Sequence, residues 1–221
     1  MTDDSIRHVS VGVSAEAVAG AWARQEGAAD GSVVVLAGEV AGRLRGGTPA
    51  PGGPALAVIV RRSLPLGAED RLWVAAQMAA TDSIALESGD AASAGWPDPI
   101  EIGGVPAAFV NVTSQLGGGH IEMVIVTLRV VDTSLLPTAE RFRDAILIAA
   151  ERAVTEFDDL AAEYAERSAL SHRNIRVLLL PRGETRGMVT GFHPDGRLRI
   201  ETPTGMVELL AATSVRRIEV L

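Results

Sequence analysis

Residues 174–221 read NIRVLLLPRGETRGMVTGFHPDGRLRIETPTGMVELLAATSVRRIEVL, and their period of two sets the architecture of this end of the chain. Ile175 to Leu180, Thr185 to Phe192, Arg197 to Glu201, Val207 to Leu210 and Ser214 to Val220 read as five short strands. Turns fall at Arg182-Gly183, Pro194-Asp195-Gly196 and Pro203-Thr204-Gly205, where Asp-Gly and Thr-Gly are hairpin signals. Five short strands in so short a span predict a small SH3-like β-barrel over 172–221.

The residues before it, 1–171, carry mixed signals and read as an α+β domain. Ser14 caps a helix running to about Glu26, with Val18 and Trp22 on one face. Ser32 to Leu36 and Ala55 to Arg61 read as buried strands, separated by a long Gly- and Pro-rich loop from Gly38 to Pro54. Ala68 to Leu86 is helical, with Leu72, Ala75, Ala76 and Ala79 inward. A turn-rich stretch, Glu87 to Pro99, leads into a meander of Ile100 to Ile102, Ala107 to Ser114 and Ile121 to Val131. From Thr138 to about Leu170 the spacing is helical again, and Asp158-Asp159 is a candidate break.

Composition narrows the chemistry. The net charge of -8 with no basic block argues against nucleic acid. There is no Cys, so disulfides, thiolate zinc sites and cysteine nucleophiles are excluded. All 20 basic residues are Arg, which removes lysine chemistry of every kind. The four His are scattered, and no metal site is expected. No G-x-S-x-G or other defensible catalytic set is present, so no catalytic residue is assigned. Apolar runs such as Val33 to Ala37 are too short to span a bilayer, and Met1 to Ser10 is no signal peptide. A cytoplasmic protein without membrane contact is the expectation.

Three glycine-bearing segments invite a functional reading. Ala41-Gly42-Arg43-Leu44-Arg45-Gly46-Gly47 offers two guanidinium forks in a pliant loop, suited to an anion or to plain solvent exposure. Gly95-Trp96-Pro97-Asp98-Pro99 places a Trp as a pocket wall or as packing under a Pro turn. Gly117-Gly118-Gly119-His120 reads as a hairpin turn rather than a phosphate loop.

In order, these pieces resemble the biotin–protein ligase family in its short form without a DNA-binding domain, whose larger domain the lipoate ligases share. The resemblance implies a mixed sheet packed with helices plus the small C-terminal barrel. The family's glycine-arginine loop, approximately A-G-R-G-R-R-G-R-K-W, is similar to Ala41 to Ala50, with Arg43 and Arg45 kept and the third Arg replaced by Gly46. Its K-W-P-N-D turn is similar to Gly95 to Pro99, with Trp96 and Pro97 kept and the Lys replaced by Gly95. Its G-x-G-x-N strand aligns with Val126-Thr127-Leu128-Arg129-Val130, and its S-T-N segment with Ser14-Ala15-Glu16 or a neighbouring triplet. Ser214-Val215-Arg216 matches the closing S-L-R. By resemblance, Arg43, Arg45, Trp96 and Arg216 are the ligand-binding candidates, and Gly46, Gly95, Val126, Leu128 and Val130 are altered site positions.

The family's reaction, as the resemblance implies it, joins a carboxylic acid to ATP and passes the acyl group to a carrier-protein lysine. Two anions then meet, and fixed positive charge must offset their repulsion. Gly95 cannot supply it. Val126, Leu128 and Val130 are expected to fill the space that glycines leave for a ligand ring. These departures point to a non-ligating pseudoenzyme that binds or interacts, with no cofactor. An alternative is an ATP- and Mg-dependent ligase or acyltransferase for biotin, lipoate or another acyl group, using Arg43 and Arg45 on phosphate. A third possibility is an interaction module that dimerises through an exposed sheet edge. The partner is then a carrier protein or a second copy.

Overall fold

A run of buried, β-branched strands sandwiched between helices organises the first part of the chain. The computed structural model describes residues 4–42, 50, 52–97 and 99–221. The chain proceeds through β1 (Ile6–Val9), α1 (Ala15–Gln25), β2 (Val33–Leu36), β3 (Ala55–Val60), β4 (Leu64–Pro65) and α2 (Glu69–Ser88). It continues through β5 (Ala92–Ala94), β6 (Ile100–Ile102), β7 (Val105–Gly117), β8 (His120–Val130), α3 (Ala139–Thr155) and α4 (Phe157–Arg167). Eight strands form one sheet in the order β1-β2-β3-β8-β7-β6-β5, with β4 added on β8. β1 runs parallel to β2, and the other pairings are antiparallel.

Every residue of β3 is buried, so the sheet is covered on both faces at its centre. Leu56, Val58 and Val60 face α2 and α3, while Ala55, Ala57 and Ile59 face α1. β8 is β3's neighbour in register Val58↔Val126 and alternates the same way: Val124, Val126, Leu128 and Val130 join the α2 side, Met123 and Ile125 the α1 side.

The helices are held by local chemistry. The Ser14 hydroxyl accepts the Ala17 N–H at the start of α1, and Thr138 accepts that of Arg141 at the start of α3. α2 is buried far beyond its four expected inward positions, because it lies under the sheet, α3 and the second sheet at once. Its buried hydroxyls bond back to the preceding turn, Thr81 to Gln77 O at 2.7 Å and Ser83 to Ala79 O at 2.8 Å. It stops at Gly89, whose φ of 74° suits a residue without Cβ. The break between α3 and α4 is at Glu156, not at Asp158-Asp159, which occupy the first turn of α4, where a helix dipole favours acids.

The remaining strands, β9 (Asn174–Leu179), β10 (Glu184–Phe192), β11 (Leu198–Glu201), β12 (Val207–Leu210) and β13 (Val215–Val220), form an antiparallel sheet in the order β12-β11-β10-β9-β13. All five expected strands are present. Their apolar face joins the same core as α2 and α4: Ile175, Val177, Val189, Leu198 and Ile200 pack with Trp96 and Tyr164. Phe192 meets Tyr164 edge-on at 5.1 Å and Trp96 at 6.1 Å. At the seam, Asp70 accepts the Ala212 N–H at 2.5 Å and Arg71 Nε donates to Pro194 O at 2.6 Å. Gly196 sits so close that a Cβ there would lie 2.1 Å from Arg71 N. Burial pushes the Asp70 carboxyl up to about 6, against the lowering effect of the Ala212 N–H, and the nearby charges of Asp195 and Glu69 push the same way.

Candidate functional site

An arginine inside β8 forms the polar centre of the α1 side of the sheet. Arg129 is 1% exposed and points, with Ile125 and Thr127, away from the α2 layer. A cation so buried requires partners. It has two. Nε donates to Glu39 Oε2 at 2.6 Å and Nη2 to Glu39 Oε1 at 3.1 Å, a forked pair, and Nη2 also donates to Glu16 Oε2. Glu39 Oε1 in turn accepts the Ala15 N–H at 2.7 Å, so the first turn of α1 is tied into the cluster. Burial works against the charge on Arg129, but the Glu39 hydrogen bonds and the Glu16 and Glu39 charges outweigh it and hold the guanidinium pKa above its ordinary value.

Three stretches therefore converge: the N-terminus of α1, the start of the β2–β3 connection, and β8. They correspond to the segments that the family resemblance aligns with S-T-N, the glycine-arginine loop and the glycine strand. The loop's base is tight. Ala50 N donates to Gly42 O at 2.9 Å, and a Cβ on Gly42 would lie 2.0 Å from Glu39 Oε2, so only glycine fits while Glu39 holds Arg129. Arg129 Nη1 and the Thr127 hydroxyl are buried without a hydrogen-bond partner among the described residues.

Of the expected site residues that are described, none joins this ion cluster. Arg43, Arg45 and Gly46 lie outside the described residues, as does Asp98. Val126, Leu128 and Val130 face α2 and α3, on the opposite side of the sheet from the loop's base. The period of two corrects the expectation: the side chains that fill the loop side of β8 are Thr127 and Arg129. Trp96 is fully buried, edge-on to Phe192, as in the packing reading of the W-P turn. Gly95 follows β5, three strands from β8, and its carbonyl accepts the Tyr164 hydroxyl. Arg216 is exposed on β13 in the other sheet. Gly118 and Gly119, with φ of 57° and 83°, make a plain hairpin turn between β7 and β8.

Arg129, Glu39 and Glu16 were not singled out by the sequence patterns. The signal was a lone Arg in the apolar run Met123 to Val131, which demands a buried carboxylate elsewhere. No group of three or more His, Asp or Glu suited to a metal ion occurs among the described residues. Nor is any helix there long and apolar enough to cross a membrane.

No model of a known protein family matches the sequence, and no curated protein does. Solved structures do. The biotin protein ligase of Aquifex aeolicus in complex with biotin and ATP is similar over 99% of this chain and 100% of that one, at a TM-score of 0.72 and 11% identity. The chain has the biotin protein ligase fold. A biotin protein ligase-like protein of unknown function from Silicibacter sp. matches over 94% of both chains, at a TM-score of 0.63 and 11% identity. The biotin protein ligase of Leishmania major in complex with biotinyl-5-AMP matches over 93% of this chain and 98% of that one, at a TM-score of 0.56 and 16% identity. The expected α+β class and ligase-like architecture hold. On the biotin protein ligase fold this chain places a closed ion cluster at the base of the β2–β3 loop.

Proposed function

We propose that this is a non-ligating protein on the biotin protein ligase fold, a pseudoenzyme that binds or interacts rather than adenylates. The observation that carries this is the Arg129 cluster. Adenylation needs free positive charge where a carboxylate meets a phosphate. Here Arg129, the cation that β8 itself presents on its loop side, is engaged by two carboxylates, leaving the cluster with a formal charge of -1. The resemblance places a lysine at Gly95, and the chain contains no lysine. Losing one such contact costs on the order of 3 kcal/mol in the transition state. The partner is then a carrier protein or a second copy meeting a sheet edge at β1 or β5, and 172–221 is an SH3-like unit that completes the 1–171 domain.

The second reading is an ATP- and Mg-dependent acyl ligase in which Arg43 and Arg45 bind phosphate. The crystallised complexes of its structural neighbours with biotin and ATP favour it. Incubating the full chain with ATP, Mg and biotin, lipoate or octanoate separates the two. Pyrophosphate release at background level supports the pseudoenzyme, and multiple turnovers with any of the three acids establish the ligase.

A further inference from the structure

On the helix-covered side of the sheet, away from Arg129, the β4–α2 connection and the end of α3 leave a cleft that no part of the proposed function uses. Leu64, Ala68, Leu72, Ala153 and Val154 line an apolar cavity of about 70 Å³, and Arg71 stands among them. Val154, 47% exposed, stands at its mouth, and Leu64, Ala68, Leu72 and Ala153 are buried beneath it.

Arg71 sets the chemistry. Its guanidinium lies 5.2 Å over the Phe157 ring, and Nε donates to Pro194 O at 2.6 Å, so its plane is fixed from two sides. It takes part in no ion pair among the described residues, in a chain of net charge -8 where most described arginines hold a carboxylate. A held guanidinium with its terminal nitrogens unclaimed, beside an apolar hollow, matches an anion with a compact hydrocarbon tail. The hollow is about half of the roughly 150 Å³ that holds a benzene ring, which limits the tail to about four carbons.

We propose that this cleft binds a short-chain carboxylate, its carboxylate on the Arg71 terminal nitrogens and its tail against Leu72 and Ala153. The site stands apart from the Arg129 cluster, so it holds whether or not the chain ligates. The test is an NMR titration of the full chain with pentanoate, with pentan-1-ol and pentylammonium as controls of equal length. Pentanoate gives saturable millimolar shifts confined to the methyl groups of Leu64, Leu72, Ala153 and Val154. The alcohol binds about fivefold to tenfold more weakly, and the ammonium does not saturate. Arg71→Gln reduces pentanoate binding to that of the alcohol. Val154→Trp, which roofs the mouth from its exposed side and leaves Arg71 in place, weakens pentanoate and pentanol alike, and it decides the matter if Arg71→Gln does not fold. Equal binding of pentanoate and pentanol, shifts mapping elsewhere, or unchanged binding in Val154→Trp overturns the proposal.

Discussion

Asp70→Asn stabilises this protein at neutral pH and flattens its pH dependence. Asp70 is 8% exposed, sits in the first turn of α2 and accepts one backbone N–H, that of Ala212. Its pKa is raised from 3.8 to about 6, first by burial. The folded state therefore binds the proton more tightly than the unfolded chain. Stability from this group is fully present below the unfolded pKa and is lost as pH rises from about 4 through 6. At roughly 1.4 kcal/mol per unit, the loss by pH 7.5 is about 3 kcal/mol. Asparagine keeps the acceptor for Ala212 and carries no charge. It forgoes the attraction of the α2 N-terminus for an anion, about 0.3–1 kcal/mol, and must place an extra N–H₂. The net gain at pH 7.5 is about 1–2 kcal/mol, or a Tm rise of roughly 2–8 °C for a chain of this size. At pH 4 the two proteins are nearly equal. Urea denaturation of both, at half-unit steps from pH 4 to 8, reads this directly. A variant less stable than the parent at pH 7.5, with the same pH slope, would refute the reasoning and make the ionised carboxylate the anchor of the seam.

Arg129→Met leaves Glu39 buried without its cation and costs about 3–5 kcal/mol in chemical denaturation, part of which Glu39→Gln restores in the double variant; a loss below about 1 kcal/mol contradicts the cluster. Trp96→Ala removes a fully buried ring from between α2, α4 and the second sheet and costs about 3–5 kcal/mol, measured the same way. Gly196→Ala, at φ of 93° with its Cβ 2.1 Å from Arg71 N, loosens the seam by about 2–4 kcal/mol. Hydrogen exchange then shows faster exchange at Ala212 than in the central strand β8, and uniform exchange in the two places counts against a local effect.

The sequence shows its order of elements more clearly than its edges. The long strands and helices follow from β-branched runs and helical spacing, and their boundaries fall within a few residues of expectation. β1 is not legible in the sequence because Ile6-Arg7-His8-Val9 is short and half polar; the parallel partner β2 makes it a strand. β5, Ala92-Ser93-Ala94, has no strand propensity and is a strand because β6 pairs with it. β4 has only two residues. Aligning a glycine motif with Val126 and Leu128 says nothing of which side of β8 faces the loop, and the structure turns those two side chains to the α2 side. The loop side is fixed by Glu39 and Glu16, 90 and 113 residues away in sequence from Arg129. Only the demand of a buried guanidinium for carboxylates connects them in advance.

The most direct test of a closed site is calorimetric titration of the full chain with biotinyl-5-AMP, the ligand carried by the Leishmania major neighbour. With Arg129 held by Glu39 and Glu16, no saturable heat appears up to about 1 mM, a ceiling of roughly 4 kcal/mol on binding. One-to-one binding at micromolar concentration would mean that the cluster opens for the adenylate, and would contradict a closed site.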